Sequence, residues 1–318
     1  MQVPICHVRG HQVSKGFHMR VKNPMENMDS FPSSDPMRTI TQAEISSFAL
    51  DGVVHLPGIV HKDWVGLLDS ALKLMLEEPQ MFADLTALGS DLNETQGLSV
   101  LADSGIKGGR FLSGIDHWKE DENFAAFAKI SPLPSIVAEL MDSKKVYLYE
   151  DSVLIKEPGT AERTAFHQDL GYFHIEGDSI CTVWAPLDEI SSETGGVIYL
   201  RSSHKNKKVF KPNWFVANES LPGTEGNDLT NIEKGEEKFD LLQFDTKPGD
   251  LVVHHALTLH GAGANNSTSR QRRAVSVRYC GDGSTYKIRP GAPKKPHHEN
   301  MRTGDPVVDH PDCPLVWG

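Results

Sequence analysis

The second half of the chain is a succession of short apolar segments separated by turn residues, and this pattern restricts the fold most strongly. Gly, Pro and Asn separate segments rich in strand-favouring residues, which are 146–149, 153–155, 179–184, 196–201, 250–254 and 273–280. The first half instead has apolar residues at helical spacing over 62–77, and a capping-box pattern from Thr41 to Glu44 before another short helix. Helices followed by many strands indicate helices packed on an antiparallel β structure.

The 318-residue chain divides into three parts by composition. The first residues are polar and lack apolar periodicity, and the last are rich in Pro and His. We therefore expect a flexible leader over 1–38, a single domain over 39–284 and a coil extension over 285–318. We expect His297 and His298, in that extension, to be solvated.

Two stretches inside the domain have few apolar anchors. Residues 79–120 are Gly-rich and are expected to be irregular. Residues 205–247 interrupt the strands with a long polar insert, and inserts of this length are usually either functional lids or disordered. We expect this insert to be lid-like. Its Trp214 and Phe215 either close over a small molecule or pin the insert to the barrel wall.

Composition excludes several classes of protein. The net charge is −11, so a nucleic-acid partner bound through a basic face is not expected. No apolar run of about 18 residues is present, and a membrane span is therefore not expected. The balance of 38% hydrophobic and 24% charged residues is that of a globular protein rather than of a disordered chain.

The cysteines and the N-terminus bear on the cellular compartment. The four cysteines are far apart and form no CxxC pair, which favours reduced thiols and an intracellular, cytoplasmic setting. The N-terminal stretch has no apolar core of a secretion signal. Its basic residues also fit a mitochondrial targeting segment; they are Arg9, Lys15, Arg20 and Lys22.

A His-x-Asp motif is the sharpest chemical signal. His167 and Asp169 follow a strand and a turn, and in an extended segment two residues so spaced face the same side. His260 follows a later turn and strand and is the best third donor. Two histidines and one carboxylate form a facial triad that leaves three positions open on an octahedral iron. Two positions can take a 2-oxo acid and the third can take O2.

The motif has a plainer explanation when it stands alone. The chain has 15 histidines, and a single His-x-Asp is more often a surface hydrogen-bonded pair than a pair of metal ligands. Arg272 and Arg273 make the metal hypothesis more specific, because an arginine on the adjacent strand can bind the far carboxylate of a 2-oxo acid bidentately. The other arginine then lies on a solvated strand edge.

An ordered series of motifs resembles the phytanoyl-CoA dioxygenase family, whose members are iron(II)- and 2-oxoglutarate-dependent oxygenases. The resemblance covers roughly residues 40–282. Its motifs are His167-Gln168-Asp169-Leu170-Gly171-Tyr172-Phe173, Trp184, Gly195-Gly196, Ser202-Ser203-His204, Pro248-Gly249-Asp250, His260-Gly261-Ala262-Gly263 and Arg272.

The resemblance implies a mainly β fold with flanking helices, a double-stranded β-helix (jelly roll, cupin-like). It implies that His167, Asp169 and His260 hold iron(II), and that Arg272 binds the C5 carboxylate of 2-oxoglutarate. The interval from His260 to Arg272 is one residue longer than the commonest family spacing, so Arg273 stays an alternative.

Two further residues are candidates for contact with the cosubstrate. Trp184 matches a family aromatic on the strand beside 2-oxoglutarate, although a core tryptophan explains it equally well. Thr182 lies two residues earlier on the same strand face and can offer its hydroxyl to a carboxylate.

The expected function is an iron(II)/2-oxoglutarate-dependent oxygenase that uses O2 to oxidise a small organic metabolite, with release of succinate and CO2. Hydroxylation is the commonest outcome in this family, and desaturation or cyclisation is the alternative. Halogenation is disfavoured, because related halogenases lack the carboxylate ligand that Asp169 supplies here. A cupin-like metal-binding isomerase or a binding protein without oxygenase activity is the alternative from another class, and it has no need of Arg272.

Overall fold

The computed structural model describes residues 30–103, 108–230, 232 and 239–318. The expectations for residues 1–29 and for part of the 205–247 insert lie outside these residues. Five α-helices occur in the described chain: α1 (Gln42–Asp51), α2 (Lys62–Met75), α3 (Leu85–Gln96), α4 (Glu122–Ile130) and α5 (Leu133–Leu140). None of these helices has the length and apolar character needed to cross a bilayer.

Local sequence signals set the ends of α1. Thr41 accepts a hydrogen bond from the Glu44 backbone N–H at 3.2 Å, and the Glu44 carboxylate accepts one from the Thr41 backbone N–H at 2.8 Å. This reciprocal capping box satisfies two amides that the first turn leaves unpaired. Gly52 ends the helix with φ of 75°, in the left-handed region that a residue with a Cβ rarely adopts. The expected helix start is therefore confirmed.

Fourteen strands occur in the described residues. In chain order they are β1 (Val53–Leu56), β2 (Ala83–Asp84), β3 (Phe111–Ile115), β4 (Val146–Lys156), β5 (Thr164–His167), β6 (Ile175–Glu176), β7 (Ile180–Pro186), β8 (Val197–Leu200), β9 (Leu241–Gln243), β10 (Leu251–His255), β11 (His260–Ala262), β12 (Arg272–Cys280), β13 (Thr285–Tyr286) and β14 (Leu315–Trp317).

Two antiparallel sheets form a double-stranded β-helix around one cavity. The larger sheet has the order β1-β10-β7-β12-β4-β3-β2, with β14 also paired to β4, and the smaller has the order β5-β11-β8-β9. Side chains of β7, β10 and β12 and side chains of β5, β8 and β11 line the same cavity. The mainly β fold with flanking helices, expected from the sequence, is confirmed.

Alternation along β12 separates the hydrophobic core from the cavity. Val275, Val277 and Tyr279 belong to the main core cluster, which also holds the buried faces of α2, α4 and α5. The Tyr279 hydroxyl donates a hydrogen bond to the Ala128 carbonyl of α4 at 2.7 Å. The residues between them on β12 face the cavity, because neighbouring side chains on a strand point to opposite faces. The helices thus cover the outer face of the larger sheet.

The stretch 79–120, expected to be irregular, contains both α3 and β3. Asp84 caps α3 by accepting hydrogen bonds from the Thr86 and Ala87 amides at 3.0 and 3.2 Å, and Gly97 ends it with φ of 65°. These two caps are the sequence signal for α3. Its interior is polar and includes Gly89, so its apolar periodicity is weak.

The described part of the leader contacts α2. The Phe31 ring stacks on the Trp64 ring with centroids 6.0 Å apart, and the Trp64 indole N–H donates to the Ser33 carbonyl at 3.0 Å. Residues 30–38 therefore include side-chain and backbone contacts with the first turn of this helix.

The expectation that His297 and His298 are solvated is wrong. Both side chains are buried, with 6% and 1% exposure. His298 packs against His174, with ring centroids 4.6 Å apart. Nearby Lys295 forms a salt bridge with Asp116 at 2.7 Å. A Pro- and His-rich composition resembles coil, but these rings bury apolar area against the barrel and so fix the segment.

Buried His255 makes stability depend on pH. Its Nε2–H donates to the Asp178 carbonyl at 2.9 Å, while its Nδ1 accepts from the Leu257 amide at 3.0 Å. Protonation of Nδ1 would break the second bond, and burial lowers the pKa of His255 from 6.5 to about 4. Because the unfolded chain binds this proton more tightly, the stabilisation is complete above pH 6.5 and is lost as pH falls towards 4.

We therefore predict that acidification removes about 3 kcal/mol of His255-dependent stability between pH 7 and pH 4. The measurement is urea unfolding of the wild type and of His255→Gln across this range. The stability difference between the two proteins should shrink as pH falls. His61, whose side chain is 41% exposed, is replaced by Gln as the control, and this variant should not reproduce the effect of His255→Gln. A constant difference between wild type and His255→Gln would contradict the prediction.

Candidate metal centre

Three protein segments bring His167, Asp169 and His260 together. His167 ends β5, Asp169 begins the 3-10 turn Asp169–Gly171, and His260 begins β11, directly opposite His167 in the sheet register. Asp169 Oδ1 lies 3.6 Å from His167 Nε2 and 3.7 Å from His260 Nε2. Among the described residues no other group of three His, Cys, Asp or Glu side chains converges in this way.

Backbone carbonyls fix the orientation of both imidazoles. His167 Nδ1–H donates to the Ala165 carbonyl at 2.8 Å, and His260 Nδ1–H donates to the Thr258 carbonyl at 3.0 Å. With the proton held on Nδ1, the lone pair of each ring is on Nε2, which faces Asp169. This use of the second ring nitrogen is how metal-binding histidines are generally oriented.

The two oxygens of Asp169 have different surroundings. Oδ2 accepts hydrogen bonds from the Thr182 hydroxyl at 2.5 Å and from His254 Nε2 at 3.2 Å. Oδ1 faces the two imidazoles and is left for a cation. Burial by itself would raise the pKa of Asp169, but its His167 and His254 neighbours lower that pKa well below its usual value. The carboxylate is therefore ionised at neutral pH.

The imidazole of His260 is neutral. Burial lowers the pKa of His260 well below its usual value, and the neighbouring His167 and His254 lower it further. Two imidazole nitrogens and one carboxylate oxygen on one face are the donor set of a divalent transition metal with open positions. The residues present thus fit the iron(II) that the sequence implied.

Arg272 and Arg273 lie on opposite faces of β12. Because β12 is an inner strand of the larger sheet and both side chains are buried, the expectation that one of them lies on a solvated strand edge is wrong. The Arg273 guanidinium is bound by Asp188 at 2.7 Å and Asp69 at 2.5 Å on the outer face of the sheet. Arg272 lines the cavity, is 1% exposed and donates only to the Gly195 carbonyl, at 3.0 and 3.2 Å. Its Nη1 has no hydrogen-bond partner among the described residues.

Arg272 is charged in spite of its burial. Burial lowers the pKa of Arg272 to about 10, which leaves the guanidinium protonated at neutral pH. A buried cation with an unpaired N–H facing a cavity is costly unless a ligand anion compensates it. The cavity is thus built to receive an anionic group at Arg272.

Trp184 and Thr182 both line the cavity. The Trp184 indole N–H is buried without a hydrogen-bond partner among the described residues and is free to donate to a ligand. The Thr182 hydroxyl instead donates a hydrogen bond to Asp169 Oδ2. In this structure Thr182, which was expected to contact the cosubstrate, therefore orients the Asp169 carboxylate.

The cavity is also lined by side chains that were not predicted as site residues, among them His254, Ser276 and Arg278. His254 was accessible to sequence reasoning, because it has the same parity as His260 along its strand. The others depend on which strands become neighbours.

The insert carrying Trp214 and Phe215 is bound to the strand that bears His167. The Phe215 carbonyl accepts from the Ala165 amide at 2.8 Å, and the Phe215 ring lies 5.0 Å from the His167 ring. Phe215 has φ of 68°, an uncommon conformation for an aromatic residue that needs local support. Asn213 supplies that support: its Oδ1 accepts from the Phe215 amide at 3.0 Å and its Nδ2 donates to the Phe166 carbonyl at 2.9 Å.

We predict that Asn213→Ala lowers the free energy of unfolding by about 2 kcal/mol, because buried partners of Asn213 lose their hydrogen bonds. Hydrogen exchange at Phe215 and Ala165 should also accelerate. Exposed Asn227 is the matched control, since its side chain donates to the Val209 carbonyl at 3.0 Å in the same insert. Equal effects of Asn213→Ala and Asn227→Ala would show that Asn213 does not hold Phe215 in place.

Comparison with known proteins gives a family and a fold. The sequence profile of the phytanoyl-CoA dioxygenase (PhyH) family matches residues 48–274. A probable phytanoyl-CoA dioxygenase of Caenorhabditis elegans is 26% identical over 203 residues, which are 59% of this chain and 62% of that protein. The chain thus spans less than two thirds of that relative. A 2-aminoethylphosphonate dioxygenase of the uncultured bacterium HF130_AEPn_1 is 26% identical over 76% of this chain and 82% of its own length.

A solved structure supports the fold. The non-heme alpha ketoglutarate dependent carbocyclase SnoK, from nogalamycin biosynthesis, superposes with a TM-score of 0.61 at 19% identity and covers 87% of this chain and 97% of its own. At that identity the likeness concerns the fold alone. The family profile, in contrast, covers more than half of the chain and contains all three converging residues, His167, Asp169 and His260. The chain therefore belongs to the phytanoyl-CoA dioxygenase family.

Proposed function

We propose that the protein is an iron(II)/2-oxoglutarate-dependent oxygenase that oxidises a small organic metabolite. One observation carries this proposal: a His-Asp-His group and a buried arginine with an open N–H line the same cavity. A metal-binding protein without a cosubstrate needs only the His-Asp-His group. The combination of this group with a buried arginine fits a metal together with a dianionic cosubstrate, and the family assignment supports the same function.

In this proposal His167, Asp169 and His260 hold iron(II) through Nε2, Oδ1 and Nε2. Iron(II) with 2-oxoglutarate and O2 supplies the oxidation of a C–H bond, with release of succinate and CO2. The residues of this chain orient the ligands. Thr182 and His254 hold the far oxygen of Asp169, so that the near oxygen points into the cavity.

Arg272 binds the distal carboxylate of 2-oxoglutarate in this proposal. Its guanidinium can form a charge-assisted pair that is strong because Arg272 is buried. Trp184 adds an indole N–H on the neighbouring strand. Phe215 covers one side of His167 and excludes water from the metal centre.

The alternative is a cupin-like metal-binding isomerase or a binding protein without oxygenase activity. It accounts for the three metal-binding side chains but leaves the unpaired N–H of Arg272 without a role. The relatives have diverse substrates by name, including phytanoyl-CoA and 2-aminoethylphosphonate, so hydroxylation of a particular metabolite does not follow from the family.

The deciding experiment is a metabolite screen for substrate-stimulated succinate formation from 2-oxoglutarate by the iron-loaded enzyme under O2. The oxygenase proposal expects succinate that increases with at least one metabolite and requires both iron and O2. Tight iron binding without any consumption of 2-oxoglutarate would support the alternative.

We further propose an intracellular, cytoplasmic location. Cys181, Cys280 and Cys313 are buried free thiols in the structure, as expected for a reducing compartment. Fractionation of cells that express the full chain tests this location, and enrichment in an organelle fraction would contradict it.

A further inference from the structure

The cavity contains a second arginine besides Arg272. Arg272, Ser276 and Arg278 all line it, as expected for even-numbered positions on one face of β12. Arg278 lies opposite Thr182 in the register of β12 and β7. Thr182 in turn donates to Asp169, so Arg278 is at the end of the cavity next to the metal centre.

Arg278 has few partners compared with the outward-facing arginine of the same strand. Arg273 has two carboxylates within 2.7 Å. Arg278 Nη1 donates to the neutral Ser152 hydroxyl at 2.6 Å and lies 3.6 Å from Glu150 Oε1, beyond hydrogen-bond range. Its Nε is buried without a hydrogen-bond partner in the described part of the chain.

Glu150 does not neutralise Arg278 fully, because it is shared. Glu150 Oε2 lies 3.0 Å from Lys295 Nζ, closer than its other oxygen is to Arg278. Lys295 comes from the C-terminal extension and also pairs with Asp116. The extension thus competes with Arg278 for this carboxylate.

The charge at Arg278 is not needed for 2-oxoglutarate. In the proposed function one carboxylate of that dianion faces Arg272 and the other faces the metal. Arg278 is six positions away from Arg272 on β12, which is about 20 Å along a strand. One small dianion cannot satisfy both guanidinium groups, so Arg278 is available for a different anion.

We propose that Arg278 is the subsite that binds an anionic group of the organic substrate, a carboxylate or a phosphonate. This inference rests on the proposed function and names the substrate class for the same cavity. An arginine fork matches the oxygens of such a group and discriminates against uncharged analogues. Ser276, on the same face of β12, places a hydroxyl beside that group.

The test is calorimetric binding to the full chain loaded with manganese(II) and saturating 2-oxoglutarate, without O2. The probes are propionate, methylphosphonate and propionamide. The variants are Arg278→Gln and Arg278→Lys, with Arg270→Gln as control because Arg270 is a solvent-exposed arginine paired with Glu193 just before β12. Thermal melting of each variant checks folding.

We expect at least one of the two anions to bind the wild type about tenfold or more tightly than propionamide. Arg278→Gln should remove this preference, Arg278→Lys should keep part of it, and Arg270→Gln should behave as wild type. The anion that binds more tightly, propionate or methylphosphonate, shows whether the anionic group of the substrate is a carboxylate or a phosphonate. Equal anion binding by wild type and Arg278→Gln would overturn the proposal, and so would anion binding that is seen only when 2-oxoglutarate is omitted, which would assign it to Arg272.

A second variant keeps the test decisive if Arg278→Gln does not fold. Glu150→Gln removes the carboxylate that Arg278 and Lys295 share, and it leaves Lys295 paired with Asp116. Anion affinity should then rise, and unchanged or weaker affinity would contradict the proposal. Failure of the wild type to bind 2-oxoglutarate, read in the same titrations, would instead count against the proposed oxygenase function.

Discussion

Asp169→Ala is expected to abolish turnover and to weaken iron(II) binding by more than about a hundredfold, since loss of even an outer partner of a metal ligand costs ten- to a hundredfold. Both imidazole Nε2 atoms converge on Asp169 Oδ1, so the loss of this carboxylate leaves only the two imidazole donors of the group. His167→Ala and His260→Ala should have the same effect. The measurements are anaerobic equilibrium dialysis of iron(II) and succinate formation with iron as the only added metal.

A matched control separates ligand loss from general damage. His204 is a buried histidine outside the cavity, and its Nε2 donates to the Ala49 carbonyl at 3.2 Å. His204→Ala should lower stability but retain iron binding. Near wild-type succinate formation by any of the three ligand variants would show that the corresponding residue does not hold the metal.

The sequence located the metal centre better than it explained the geometry. Alternation along an extended segment was expected to bring His167 and Asp169 to one side. In the structure the backbone is extended at Gln168, but Asp169 already begins a 3-10 turn. The turn directs the carboxylate towards β11, where His260 faces it. The His-x-Asp motif is recognisable whichever backbone conformation its segment adopts, whereas that conformation depends on tertiary contacts.

Residues that act through neighbouring strands were the hardest to predict. His254, Thr182 and Arg278 become adjacent only because β7 lies between β10 and β12 in the larger sheet. Strand order is not encoded in local periodicity, so sequence reasoning could find the facing residues on each strand but not their pairing. The polar interior of α3 hid that helix for a different reason, namely a weak apolar stripe between two good caps.

Arg272→Ala is expected to raise the KM for 2-oxoglutarate by about thirtyfold or more, and to raise it far more than the KM for the organic substrate. Removing one partner of a buried charge pair costs about 2–5 kcal/mol, and each 1.4 kcal/mol is tenfold. Among the described residues the Arg272 guanidinium donates only to the Gly195 carbonyl, so a ligand carboxylate supplies most of its compensation. Steady-state kinetics with each substrate varied in turn measures both constants.

Arg273 is the control that the strand itself provides. Its guanidinium is fixed outside the barrel by Asp188 and Asp69, so Arg273→Ala should reduce stability without changing the KM for 2-oxoglutarate. The two adjacent arginines share a residue type and a strand and differ in the face they occupy. A larger rise in KM from Arg273→Ala than from Arg272→Ala would transfer the anchor by one residue, and would mean that β12 turns its other face to the cavity when 2-oxoglutarate binds.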